Sequence, residues 1–213
     1  MNKINNTQNI SFTSLKSQKR LGEEVLREFE AEMGYLKSSS NLGLRLRRGE
    51  AILNKPLLAS LQEKQKKMYQ EIYDPVVTAP INGKIFKTFH EFKEVLVENI
   101  KQKGNKANCW EDMMLVFIKL LEKGEKPRMF GVEVYNSGGR VFNHFSTVIG
   151  LKKGAKMSDP KTWGSKAVLV DTWVKTVKPA HEALKDITTI LAVGKEIKLV
   201  KYSDVSSNFV LQH

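Results

Sequence analysis

Hydrophobic and polar positions change their period once along this chain, helical before about residue 125 and alternating after it. Between Leu15 and Leu36 the apolar residues Leu21, Val25, Leu26, Phe29 and Met33 recur at spacings of one, three and four on a background of Glu, Lys and Arg. That spacing predicts an amphipathic helix, which Ser38-Ser39-Ser40-Asn41 ends. Leu42 to Leu53 reads as a second, short helix. Pro56 fits the first turn of a third that carries Leu57, Leu58, Leu61, Met68, Tyr69 and Ile72. Pro75, Pro80 and Asn82-Gly83 mark a turn-rich connection, so a boundary is expected within residues 75–85. Thr88 can cap a helix with Phe89, Phe92, Val95, Leu96 and Ile100 on one face and Glu91 at the capping-box position. After a basic loop from Lys101 to Lys106 comes the most apolar helical run, Met113 to Leu121, stopped at Lys123-Gly124-Glu125-Lys126-Pro127.

Beyond that stop, Phe130 to Tyr135 alternates, Ser137-Gly138-Gly139 is a hairpin turn and Val141 to Leu151 the returning strand. Ala167 to Trp173 is a third strand, Pro179 to Leu191 a short helix and Lys195 to Tyr202 a last strand. The pattern divides the chain into a disordered tail (1–14), a helical N-terminal lobe (15–75) and an α+β domain (76–213) in which a helix packs on an antiparallel sheet.

Composition narrows this picture in three ways. The chain has 213 residues, 41% apolar and 27% charged, enough for one core-forming domain with a smaller lobe. No window approaches about 18 consecutive apolar residues and the first residues are polar, so neither a membrane span nor a Sec-type signal is expected, which leaves export by a signal-independent route open. The formal net charge of +12 favours an acidic partner or an anionic surface. Its basic residues are dispersed, densest at Arg45-Leu46-Arg47-Arg48, with no zinc-finger spacing and no aromatic-basic strand, so nucleic acid is not an expected partner.

The candidate chemistry gathers around the single cysteine. Asn108 is a favoured N-cap and Glu111 stands where a capping box needs it, which makes Cys109 the first residue of the apolar helix. There the backbone N–H groups lack intrahelical partners and the macrodipole favours an anion, both of which suit a sulfur nucleophile. Glu111 and Asp112 oppose a further negative charge, so a cationic partner is needed, best an imidazolium. His144 lies mid-strand with Ser146 and Val148 on its face, and Asp171 shares a face with Leu169 and Trp173. If those strands pair, imidazole and carboxylate meet across the ladder and the helix N-terminus brings Cys109 to the other ring nitrogen. Aspartate is depleted in strands, which makes Asp171 after Val168-Leu169-Val170 notable. The backbone N–H of Cys109 and one side chain, from Gln102, Asn108 or a tryptophan, are the candidates to hold an oxyanion. Trp110 and Trp173 are expected to pack beside the site. No metal or cofactor is expected, since Cys109 is alone, no His pair has ligand spacing and no acidic loop suits calcium.

The run Asn108-Cys109-Trp110, a helix ending in Leu120-Leu121-Glu122-Lys123-Gly124, a strand-turn-strand with His144 and then Val168-Leu169-Val170-Asp171 resembles the core of the papain-like and transglutaminase-like thiol enzymes. The resemblance covers roughly residues 100–175. It departs in Thr172, where many relatives have proline, in Phe145-Ser146 after the histidine, and in the 27-residue interval from His144 to Asp171. It implies Cys109 as nucleophile, His144 as general base and acid, and Asp171 as the residue that orients the imidazole. Small bacterial effectors of this kind are similar in size. By that resemblance the expected activity is transglutamination or deamidation of protein glutamines, with delivery into a host cytosol. A papain-like protease using the same residues is the alternative, and a basic non-enzymatic adaptor for an acidic protein or a membrane is a third reading.

Overall fold

In the computed structural model, residues 14–34, 36, 59, 60, 63, 64, 66, 67, 88–191 and 197–205 are described. Helix α1 spans Leu15–Met33, α2 Phe89–Gln102 and α3 Cys109–Glu122. Strands β1 (Arg128–Asn136) and β2 (Gly139–Ile149) follow, then a 3-10 turn at Pro160–Thr162, β3 (Val168–Asp171), β4 (Thr176–Pro179), helix α4 (Ala180–Leu191) and β5 (Leu199–Asp204). The protein is α+β, with an antiparallel five-stranded sheet in the order β4-β3-β2-β1-β5.

Alternation along the strands sorts the core into two layers. Met129, Ile149, Val168 and Val170 join one cluster with α1, α2 and α3, while their neighbours Phe130, Val148 and Leu169 join a second with Ala183, Leu184 and Ile187 of α4. Helices therefore cover both faces of the sheet. This explains the composition of α3, whose residues from Met113 to Leu120 are all buried: a helix enclosed by the sheet and two other helices has no solvent face to keep polar. Lys119 in that run is neutralised by Glu32 of α1 at 2.5 Å, and Lys123 holds Glu24 and Glu28 of the same helix at 2.7 Å each.

The described elements follow the hydrophobic pattern closely. α1 is capped by Ser14 and buries Val25, Phe29 and Met33, and Thr88 caps α2 by accepting the Glu91 N–H at 3.2 Å. α1 lies against β3, β4 and α3, and Gly22 lets it approach, because a Cβ there would stand 2.7 Å from Val177 Cγ1 and 2.9 Å from Val170 Cγ2. The tail except for Ser14, the helix over residues 42–53, the Arg45–Arg48 cluster and the boundary at 75–85 lie outside the described residues. The helix opened by Pro56 is described only at residues 59, 60, 63, 64, 66 and 67, which are helical.

One expectation is corrected. The strand expected from Ala167 to Trp173 stops at Asp171 as β3, and a tight turn in which Lys175 has φ +51° leads into a further strand, β4, that the pattern did not announce. Asp171 therefore ends a strand rather than standing within one, and its Oδ1 accepts the Val174 N–H at 3.0 Å, a side-chain bond that starts the turn. Among the described residues, no helix is long and apolar enough to cross a membrane.

Candidate active site

The site lies where β2 outruns β3. Their ladder ends at the pair Thr147–Val170, and one further step would set Asp171 opposite Ser146. His144 stands two residues beyond Ser146 on the same face, a diagonal neighbour whose ring is long enough to span the gap. The imidazole Nε2 and the Asp171 Oδ2 are 2.5 Å apart, and each side chain is 1% exposed. Trp173, in the turn after β3, lies over the ring at a centroid distance of 4.7 Å and an interplanar angle of 44°, and stacks in turn on Phe142 at 5.9 Å.

α3 enters from the other direction. Its capping box closes, with Glu111 Oε2 accepting the Asn108 N–H at 2.9 Å, and this fixes Cys109 as the first helical residue. Two further contacts set the height of the helix on the sheet: Thr147 Oγ1 donates to the Met113 carbonyl at 3.3 Å, and Trp110 meets Phe145 edge-on at 5.3 Å. The Cys109 thiol then reaches the imidazole closely enough to favour its charged form. The remaining ring nitrogen, His144 Nδ1, is buried without an aligned hydrogen-bond partner. Cys109, His144 and Asp171 are thus brought together.

Burial opposes charge on His144, but the Asp171 carboxylate, through its charge and its hydrogen bond, outweighs that penalty with help from Cys109, and the imidazole is held above its usual range. Burial opposes charge on Asp171 too. The imidazolium, its hydrogen bond, the Val174 N–H and Ser146 more than compensate, and the carboxyl is held below its usual range. At neutral pH the two form a buried ion pair.

The two carboxyl groups beside Cys109 behave differently from what the sequence suggested. Burial pushes Glu111 up to about 7, against the bond from the Asn108 N–H. Burial and the neighbouring Glu111 push Asp112 up to about 8, with Asp171 adding to this while a hydrogen bond from Thr172 and the charge of His144 work against it. The expected opposition to an anionic sulfur is therefore reduced, because near pH 7 Asp112 holds its proton and Glu111 is only partly ionised.

Of the side chains nominated to hold an oxyanion, Gln102 is excluded: it is exposed at the end of α2 and donates to Glu98 Oε1 at 2.9 Å. Asn108 is engaged in the capping box. Trp163 is buried in the layer that α4 covers, where its Nε1 donates to the Lys156 carbonyl at 2.9 Å. The sequence reading missed the burial of Asp112, although an acid one turn after the cysteine and directly before Met113 was a visible signal.

Among the described residues no three His, Cys, Asp or Glu side chains converge in a way that could hold a metal ion. A cavity of about 860 Å³ beside α4, floored by Leu184, Ile197 and Tyr202, has none of Cys109, His144 or Asp171 in its lining. No protein-family model, curated protein or solved structure matches the chain, so its functional reading rests on this geometry.

Proposed function

We propose that the chain is a thiol-dependent acyl-transfer enzyme with a papain-like and transglutaminase-like core, acting on glutamine side chains of proteins by deamidation or by crosslinking to an amine. The observation that carries this reading is the buried His144–Asp171 pair at 2.5 Å set against a cysteine at a helix N-terminus. A charged imidazole in a dry site costs the fold desolvation energy, and perturbed groups of this kind cluster where chemistry is done.

In this reading the Cys109 sulfur attacks the amide carbon and the carbonyl electrons move to oxygen. His144 then gives its proton to the leaving amine while Asp171 holds the ring and its charge. Water or a primary amine attacks the resulting thioester, His144 takes its proton, and the sulfur leaves. Cys109 is only 6% exposed, which suits the approach of one long, flexible side chain better than that of an extended backbone.

The test is peptide-mass analysis of proteins from a cell lysate incubated with wild type or Cys109→Ala, with and without a labelled primary amine. Cys109-dependent amine incorporation, or a gain of about one dalton at glutamine, supports the reading. New chain termini would instead identify a protease. Identical products from wild type and Cys109→Ala would leave the basic surface as the functional feature.

A further inference from the structure

Asp112 is the buried ionisable group that the mechanism above leaves unused. It lies three residues after Cys109, within one turn of the same helix, so the two side chains share a face and both lean toward the helix N-terminus. It is 7% exposed as a residue. Its Oδ2 is paired with the Thr172 hydroxyl at 3.3 Å, which ties it to the residue after Asp171. Its Oδ1 is buried with no partner at all. A buried, unsatisfied carboxyl oxygen is costly, and in a native structure it calls for a cause.

The surrounding groups decide its protonation. Glu111 and Asp171 face it as acids and His144 as a cation, with Cys109 on the turn before it. Desolvation, with the acids Glu111 and Asp171 adding to it, outweighs the Thr172 hydrogen bond and the single cation, so the neutral acid is the stable form at pH 7, and a neutral carboxyl carries an O–H that can donate. A buried carboxylic acid kept neutral to donate a hydrogen bond to an enolate-like oxyanion is an established device in enzyme chemistry.

We propose that Asp112 is the side-chain arm of the oxyanion hole, donating its O–H to the oxygen of the tetrahedral intermediate beside the backbone N–H of Cys109. When the sulfur bonds to the acyl carbon and the carbonyl pair moves to oxygen, that oxygen accepts both donors. Asp112 keeps its proton throughout, and the proton for the leaving group comes from His144. The Cys109 N–H is suited to the same task, because the first turn of a helix leaves it without an intrahelical acceptor. Thr172 has its role here: its hydroxyl holds the Asp112 carboxyl in place.

This inference rests on the reading of Cys109 as a nucleophile, and two reagents separate the two claims. Acylation by p-nitrophenyl acetate passes through an oxyanion, whereas alkylation by iodoacetamide does not. Rates of both are measured by intact mass on the full chain, for wild type, Asp112→Asn and Asp112→Leu, from pH 6 to pH 9.5. The ratio of acylation to alkylation should fall by about 100-fold or more in Asp112→Leu, the usual loss for one oxyanion donor. Asp112→Asn, which keeps an N–H donor and cannot ionise, should stay within about tenfold of wild type at pH 7. The wild-type ratio should fall above about pH 8 as the carboxyl loses its proton, and the Asp112→Asn ratio should not. An unchanged ratio in Asp112→Leu, or a parallel alkaline fall in Asp112→Asn, overturns the assignment. The Asn variant carries the test should the Leu variant fail to fold. A wild-type Cys109 inert to both reagents would refute the nucleophile reading itself.

Discussion

Replacing Asp171 with asparagine removes one charge of the buried pair while keeping the shape of the side chain. Across 2.5 Å at an effective permittivity near 20 the attraction between the two charges is roughly 7 kcal/mol. Desolvation of the ions takes back several kcal/mol, so loss of one partner should destabilise the fold by about 3–5 kcal/mol wherever His144 would otherwise be charged. The pH window follows from the directions of the two shifts. His144 is held above its usual 6.5, so its stabilisation is complete below about pH 6.5 and lost as pH rises through the folded value. Asp171 is held below its usual 3.8, so its stabilisation is complete above that value and lost as pH falls through the lower folded one. The variant should therefore suffer most between about pH 4.5 and 6.5. Above that range the gap should narrow by about 1.4 kcal/mol per pH unit until His144 itself titrates. Urea unfolding followed by tryptophan fluorescence at pH 5.5 and pH 9 measures this, and Trp173, whose ring lies tilted against that of His144, reports on the site directly. A gap below about 1 kcal/mol at pH 5.5, or one of equal size at both pH values, would refute the buried ion pair.

Three other outcomes check the packing that positions the site. Gly22→Ala should lower stability by about 1–3 kcal/mol despite alanine's better helix propensity, because its Cβ would press on Val177 and Val170 and lift α1 from the sheet; chemical denaturation reads this. Gly150→Ala should cost at least about 1–3 kcal/mol, since φ is +69° and the new Cβ would stand 2.5 Å from the Lys166 carbonyl oxygen; thermal melts should show a lowered Tm. At the α1–α3 ion pair, Glu32→Ala should cost about 1–3 kcal/mol by leaving Lys119 without its partner in a mostly buried setting, while Lys119→Met should cost under about 1 kcal/mol because Glu32 can turn to water. Comparing the two denaturation midpoints tests that order.

Much of the fold was legible because its signals are local. Thr88 with Glu91 and Asn108 with Glu111 announce two helix starts, and the switch to alternation after Pro127 announces the hairpin at Ser137 to Gly139. The break between β3 and β4 was not legible, because Thr172-Trp173-Val174 continues a strand-like run. The turn depends on the Asp171 carboxylate reaching the Val174 N–H and on Lys175 accepting a positive φ, neither of which a hydrophobic pattern records. In the site, the residue types and chain order were enough to nominate Cys109, His144 and Asp171. What sequence could not supply was burial. It read Glu111 and Asp112 as charges opposing the sulfur, whereas burial pushes them up to about 7 and about 8, and it offered Gln102 without knowing that α2 ends with that side chain in solvent.

Whether His144 activates Cys109 is read from the rate at which Cys109 is acylated by an activated ester at pH 7 in wild type and in His144→Ala, followed by intact mass with Cys109→Ala as the blank. Loss of a positioned acid–base partner should slow acylation by about 100-fold or more while the adduct in wild type stays confined to Cys109. Equal rates in wild type and His144→Ala would mean that Cys109 reacts as an isolated thiol that merely lies beside a structural ion pair.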